Sequence, residues 1–194
     1  MLRALYHWTM SLASSPRANI GLAVVSFAES SFFPIPPDVL LLPMVLADRQ
    51  RAWRIALICT LASVAGAVLG YAIGAVLFEQ LAMPVLNFYG YGERFSDFAE
   101  AYHEWGPAIV LMAGLTPFPF KVITIASGAT GMDLPIFLVA AVVARGIRFY
   151  AVAALLYWFG PPVRAFIEKR LTLVFCITTA VFFAGFAAAR LLVH

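Results

Sequence analysis

The stretch Glu29-Ser-Ser-Phe-Phe-Pro-Ile-Pro-Pro-Asp-Val-Leu-Leu-Leu-Pro43 lies in apolar sequence, yet it holds two carboxylates and four prolines. A plain membrane-crossing helix holds neither set. Proline has no backbone N–H and its ring clashes with the preceding turn, so Pro34, Pro36 and Pro37 break a helix here. Glu29 then closes one half-helix and Asp38 opens the next, since proline suits a first helical turn. Broken backbone at membrane depth survives only where it is packed in protein or lines a wet cavity. The expected form is a re-entrant helix–turn–helix that dips into the bilayer and returns to the same side.

A second stretch, Thr116-Pro-Phe-Pro-Phe-Lys-Val-Ile-Thr-Ile-Ala126, repeats the pattern. Pro34-x-Pro36 matches Pro117-x-Pro119, and the fourth residue after the first proline is charged in both, Asp38 and Lys121. Two broken apolar hairpins point to an inverted-repeat transporter with its site near the bilayer midplane. If the hairpin tips meet, Asp38 and Lys121 are expected to pair at rest.

The remainder of the 194 residues fits one membrane domain. The chain is 63% hydrophobic and 12% charged, with a mean hydropathy of +0.91, whereas soluble domains carry about 25% charged residues. The net charge of +3 is no sign of nucleic-acid binding, because the basic residues lie in short loops between apolar runs. Cys59 and Cys176 sit in apolar segments and read as packed residues, with no support for a disulfide or metal site.

Residues 1–19 lack an uninterrupted apolar core and read as an N-terminal interfacial helix. Residues 20–78 form repeat 1. Within it, Ile55 to Phe78 is long enough to cross, and Gly66, Gly70 and Gly74 share one helix face. That spacing predicts close backbone packing. The alternative is a smooth wall along a substrate path, with Tyr71 beside it. Residues 79–105 alternate acids with aromatics and read as an amphipathic linker at the membrane surface. Residues 106–160 form repeat 2: Pro107 starts its first limb, Gly128 and Gly131 end its second, Asp133 caps the next helix, and Gly160-Pro-Pro162 stops it. Residues 171–193 are a further plain spanning helix. The fold class is thus an all-α integral membrane protein with two broken-helix hairpins in an inverted repeat, about three full spans and interfacial helices.

Loops rich in Lys and Arg stay in the cytoplasm, which places Arg49 to Arg54 and Arg164 to Arg170 inside and the acidic linker outside. The hairpins then enter from opposite sides.

The prolines, the acids and the glycine-rich helix together resemble the DedA family, also called the VTT or SNARE-associated membrane-protein family, over about Gly21 to Gly160. The residues that carry the likeness are Glu29, the run Phe33-Pro-Ile-Pro-Pro-Asp38, Gly66, Gly70-Tyr71 and Gly74. Later in the chain they are Pro117, Gly128 and Arg145-Gly-Ile-Arg-Phe149. The Thr-Pro-x-Pro-x-Lys run is typical of the short YqaA-like branch. The resemblance implies an inner-membrane protein that moves undecaprenyl phosphate or phospholipid across the bilayer, coupled to protons. It maps the family's embedded acids onto Glu29 and Asp38. Many relatives carry Arg-Phe-x-Pro-x-x-Arg in the second hairpin. Here Gly114 and Phe120 stand in the two arginine positions, with Lys121 beside the second.

Glu29, Asp38, Lys121, Arg145 and Arg148 are therefore the expected proton and substrate site. Each costs about 2.5–3.5 kcal/mol near a helix centre by insertion scales, so pairing or use is required. Static ion pairs holding the broken helices together are the plainer account. His7, His103 and His194 read as surface residues, and no nucleophile–base arrangement is visible. No cofactor is expected. The partners are a membrane lipid or lipid phosphate and protons, with a homo-oligomer left open. A membrane enzyme acting on a lipid phosphate and a non-transporting assembly factor are the alternatives.

Overall fold

In a computed structural model, residues 17–32, 36–78, 80, 92–116 and 119–169 are described. Pro34, Pro117, Cys176, His7, His194, most of the N-terminal helix, residues 79 and 81–91 of the acidic linker, and the expected span at 171–193 lie outside them. Every element among the described residues is helical: α1 (Ala18–Ser31), α2 (Asp38–Ala47), a 3-10 turn (Arg49–Arg51), α3 (Ala52–Leu77), α4 (Gly92–Leu115), α5 (Phe120–Ala129) and α6 (Leu134–Lys169).

Prolines set the breaks. Pro37 caps α2, so Asp38 is its first residue, and Pro119 caps α5 in extended conformation. The end of α5 is closed by glycine. Gly131 has φ +66°, its N–H bonds to the Gly128 carbonyl, and the Met132 N–H reaches back to Ser127 O. This is the paired closure that a left-handed residue after a helix makes possible. Asp133 then accepts the N–H of Ile136 at 3.1 Å and caps α6, as its position suggested.

Two expected boundaries are not there. α4 runs through Pro107 from Gly92 to Leu115, and α6 runs through Gly160-Pro-Pro162 to Lys169. A proline inside a helix frees the carbonyl four residues earlier, and the helix persists when another donor takes that carbonyl. Pro161 frees Tyr157 O, which accepts from Arg49 Nη1 at 3.4 Å.

Two helical stretches are long and apolar enough to cross a membrane, Arg49–Leu77 and Leu134–Gly160. α1 packs along α3 and α4 packs along α6, whereas α5 lies on α3 and α2 on α6. Each broken element thus leans its first limb on the long helix of its own half and its second limb on the long helix of the other. The glycine face of α3 receives these limbs. A Cβ on Gly66 would collide with the Phe27 backbone of α1, and one on Gly74 with the Ile125 backbone of α5. One on Gly70 would meet both Thr124 and Ser30 O. From the other side, Gly128 of α5 sits against Tyr71 O. Close packing is what the spacing serves.

Two apolar cores result. One gathers Leu22, Leu41, Val45, Ile55, Cys59, Phe149 and Leu156. The other gathers Ala67, Tyr102, Val110, Phe120, Phe137 and Ala141. Along α3 the switch from one to the other falls between Cys59 and Ala67, and along α6 between Ala141 and Phe149. That seam carries the charged residues.

Candidate functional site

Arg145 and Arg148 are three residues apart on α6, so their side chains leave the same face. Arg145 Nη2 binds Glu29 Oε2 at 2.5 Å. Arg148 Nη2 binds Asp38 Oδ2 at 2.8 Å. Glu29 belongs to the last turn of α1 and Asp38 opens α2, so two successive turns of α6 clip the two ends of the first break. The pairs differ in what they offset. A carboxylate at a helix N-terminus is favoured by the macrodipole and one at a C-terminus is disfavoured. Asp38 therefore starts with local support, whereas Glu29 depends more on its partners.

The Glu29 side is dry. The Arg145 side chain is 0% exposed and that of Glu29 12%, against 17% for Arg148 and 25% for Asp38. Arg145 lies between two rings, 4.8 Å from the Phe120 centroid and 4.7 Å from that of Phe149. A desolvated cation–π contact contributes about 2 kcal/mol. Arg145 Nε donates to Ser63 Oγ at 2.7 Å, and Ser63 Oγ lies 2.6 Å from Ser30 Oγ. Ser30 donates to Glu29 Oε2 at 3.0 Å. Since Ser30 spends its one proton on Glu29, Ser63 is the donor to Ser30. All donors thus converge on Glu29 Oε2, an arrangement suited to its ionised form.

Two buried polar atoms at this seam have no hydrogen-bond partner among the described residues, Arg145 Nη1 and Asp38 Oδ1. Arg148 Nη1 donates to Thr116 O at 3.2 Å, which ties the second break to the first.

The structure brings together four of the five expected site residues: Glu29, Asp38, Arg145 and Arg148. The expected Asp38–Lys121 pair is not formed. Asp38 is held by Arg148, which reaches it from the neighbouring helix. Lys121, half-buried in the first turn of α5, makes no ion pair among the described residues. Pro36, Pro37, Pro119, Gly66, Gly70, Gly74 and Gly128 do backbone work at the breaks and contacts described above. Tyr71 packs on Phe137 and donates to Met132 O, which ties α3 to the α5–α6 turn. His103 is exposed on α4. Among the described residues no three His, Cys, Asp or Glu side chains stand close enough to hold a metal ion.

Sequence reasoning missed Ser30, Ser63, Phe120, Phe149 and Thr124. Part of the signal is there: Ser26 and Ser30 on α1, and Cys59 and Ser63 on α3, are each four apart in apolar sequence. Ser26 Oγ meets Cys59 Sγ at 3.1 Å, one turn from the Ser30–Ser63 contact.

The cluster lies near the middle of both long apolar helices. Ser63 stands midway in Arg49–Leu77, and Arg145 and Arg148 bracket the middle of Leu134–Gly160. An open apolar groove of about 390 Å³ between α4 and α5 runs from Trp105 past Ile109 and Met112 to Thr116. Its inner end is therefore the residue whose carbonyl Arg148 holds.

With that geometry in view, the comparison with known proteins is direct. The VTT domain family profile matches residues 35–158. The chain belongs to the VTT-domain, or DedA, family. An uncharacterised protein of Haemophilus influenzae is 34% identical over 170 residues, 88% of each chain. One of Histophilus somni is 34% identical over 156 residues, 80% of this chain and 81% of that one. One of Methanocaldococcus jannaschii is 28% identical over 130 residues, 66% of this chain and 77% of that one. No solved structure matches. VTT-domain proteins are membrane proteins, in keeping with the two apolar spans.

Proposed function

We propose that this VTT-domain protein translocates a lipid phosphate, such as undecaprenyl phosphate or a phospholipid, across the bacterial inner membrane, with protons as the coupling ion. The observation that carries the reading is a pair of ion pairs, Glu29–Arg145 and Asp38–Arg148, at mid-span where a helix is broken. Ionisable groups at that depth are costly and mark ion or substrate paths. In an inverted-repeat transporter the site lies at the meeting of two such breaks. The exchange of limbs between α3 and α6 supports such a repeat, with re-entrant hairpins entering from opposite sides.

The chemistry follows from the pairing. While Glu29 and Asp38 are ionised, they occupy both arginines. Protonation of either carboxylate removes its attraction and frees a guanidinium to hold a phosphate oxygen, a bidentate match in shape. Lys121, without an ion-pair partner among the described residues, adds positive charge at the second break. The apolar groove ending at Thr116 offers room for a hydrocarbon chain whose head group would lie beside Arg148. Deprotonation toward the other side restores the pairs and expels the phosphate.

The test is a flip assay in proteoliposomes with several labelled lipids, mono- and diester phosphates and an uncharged lipid, with and without a pH gradient. Gradient-dependent movement of a phosphate lipid but not of the uncharged one is expected. Chemical turnover of the lipid by purified protein would support an enzyme instead.

A further inference from the structure

Among the described residues, three carbonyls that stand four positions before a proline are taken by side chains. Pro161 frees Tyr157 O, which Arg49 takes. Ala113 O, in the last turn of α4 and four positions before Pro117, accepts from Thr116 Oγ1 at 3.2 Å. Ser30 is the penultimate residue of α1, so its carbonyl is among those left unpaired at the helix end, and the residue four positions on is a proline with no N–H to give. Here the donor comes from the other half of the molecule: Thr124 Oγ1 of α5 donates to Ser30 O at 3.0 Å.

Thr124 has a second acceptor, Lys121 O on its own helix, at 2.9 Å. One hydroxyl proton faces two carbonyls. If α5 draws away from α1, Thr124 keeps a full hydrogen bond to Lys121 O. Ser30 O loses its donor, and the residue four positions on has no N–H to replace it. The contact thus opens without loss on the α5 side, while the cost falls on the α1 side. A buried carbonyl left without a donor is unfavourable.

Ser30 is also where the charged cluster grips α1. Its hydroxyl donates to Glu29 Oε2 and accepts from Ser63, which in turn holds Arg145 Nε. The two ends of one residue thus serve two partners: its side chain answers to the charge on Glu29, and its carbonyl to Thr124. Ser30, Ser63 and Thr124 are all fully buried. The charged groups beside Glu29 are its partner Arg145 of α6 and the adjacent pair of Arg148 of α6 with Asp38 of α2, and α5 brings Lys121 at the second break.

We infer that Thr124 is a positioning residue that transmits the charge state of Glu29 to the second broken helix through Ser30. This rests on reading Glu29 as a group that changes charge. Neutral Glu29 releases the Ser30 hydroxyl and one arm of Arg145, the last turn of α1 relaxes, and Thr124 turns its proton to Lys121 O. α5 is then free to move along the glycine face of α3.

The test measures the α1–α5 distance in the full chain in nanodiscs, by pulsed electron resonance between spin labels at Val24→Cys and Val122→Cys. Both sites are exposed, at 60% and 47%, while Cys59 is buried and Cys176 is replaced by serine. Glu29→Gln should lengthen the distance. Thr124→Val, which keeps the shape but removes the donor, should abolish that response, and Thr124→Ser should restore it. A Glu29→Gln shift of the same size with and without Thr124→Val would overturn the inference, as would no shift in the parent chain. Absence of lipid transport together with the full predicted pattern of distances would count against the proposed function and leave this inference standing.

Discussion

At Arg145 the cost of burial is met by four partners of different kinds: one carboxylate, one hydroxyl and two rings. Arg148 has one carboxylate and one carbonyl, and is partly exposed. Removing one member of a dry pair leaves an uncompensated charge, at about 3–5 kcal/mol, while partly solvated pairs contribute far less. Arg145→Met should therefore lower thermal stability in detergent much more than Arg148→Met. Adding Glu29→Gln to Arg145→Met should restore part of the loss, because the stranded carboxylate is gone. Equal losses for the two arginine variants would contradict the burial difference on which this rests. The identity of the charged residues was legible in the sequence, since few ionisable groups interrupt its apolar runs. Their pairing was not: Asp38 and Lys121 match in repeat position, but which charges meet is settled by helix packing. The i,i+3 spacing of Arg145 and Arg148 is the pattern that matches both ends of one break.

At the scale of elements, the breaks and the glycine face were readable because proline and glycine act through the backbone, whatever surrounds them. α2 begins at Asp38 and ends at Ala47, where the prolines and the Asp48 turn set it. The continuity of α4 through Pro107 and of α6 through Pro161 was not readable. At α6 the carbonyl that Pro161 frees, Tyr157 O, is taken by Arg49 from 108 residues away, a partner that no local sequence pattern announces. The glycines give the sharpest prediction here. Gly66→Ala, Gly74→Ala and Gly128→Ala each push a methyl group into facing backbone, so folded protein in the membrane should fall. Gly21→Ala meets nothing within 4 Å and exchanges glycine for a better helix former by about 1 kcal/mol. It should match or exceed the parent chain in thermal stability. If Gly74→Ala were as stable as Gly21→Ala, the close approach of α5 to α3 would be refuted.

For the whole molecule, two apolar cores meet at a charged seam halfway along both long helices. On the loop-charge rule, the proposed topology puts the arginine turn at Arg49–Arg51 inside and the acidic residues near Glu104 outside, one crossing away. Single cysteines at Arg51 and Glu104 should react with an impermeant thiol reagent from opposite sides of oriented vesicles. Labelling of both from one side would require the hairpins to enter differently.

In the proposed function, the carboxylates at the broken helix couple lipid-phosphate movement to protons. The most direct measurement is the rate of lipid-phosphate translocation in proteoliposomes, with and without an imposed pH gradient, for the parent chain and for Asp38→Asn, in protein shown to be folded and inserted. The gradient should accelerate the parent chain and leave Asp38→Asn unchanged, with any residual movement slow and uncoupled. Asp38→Asn that responds to the gradient as the parent chain does would contradict it.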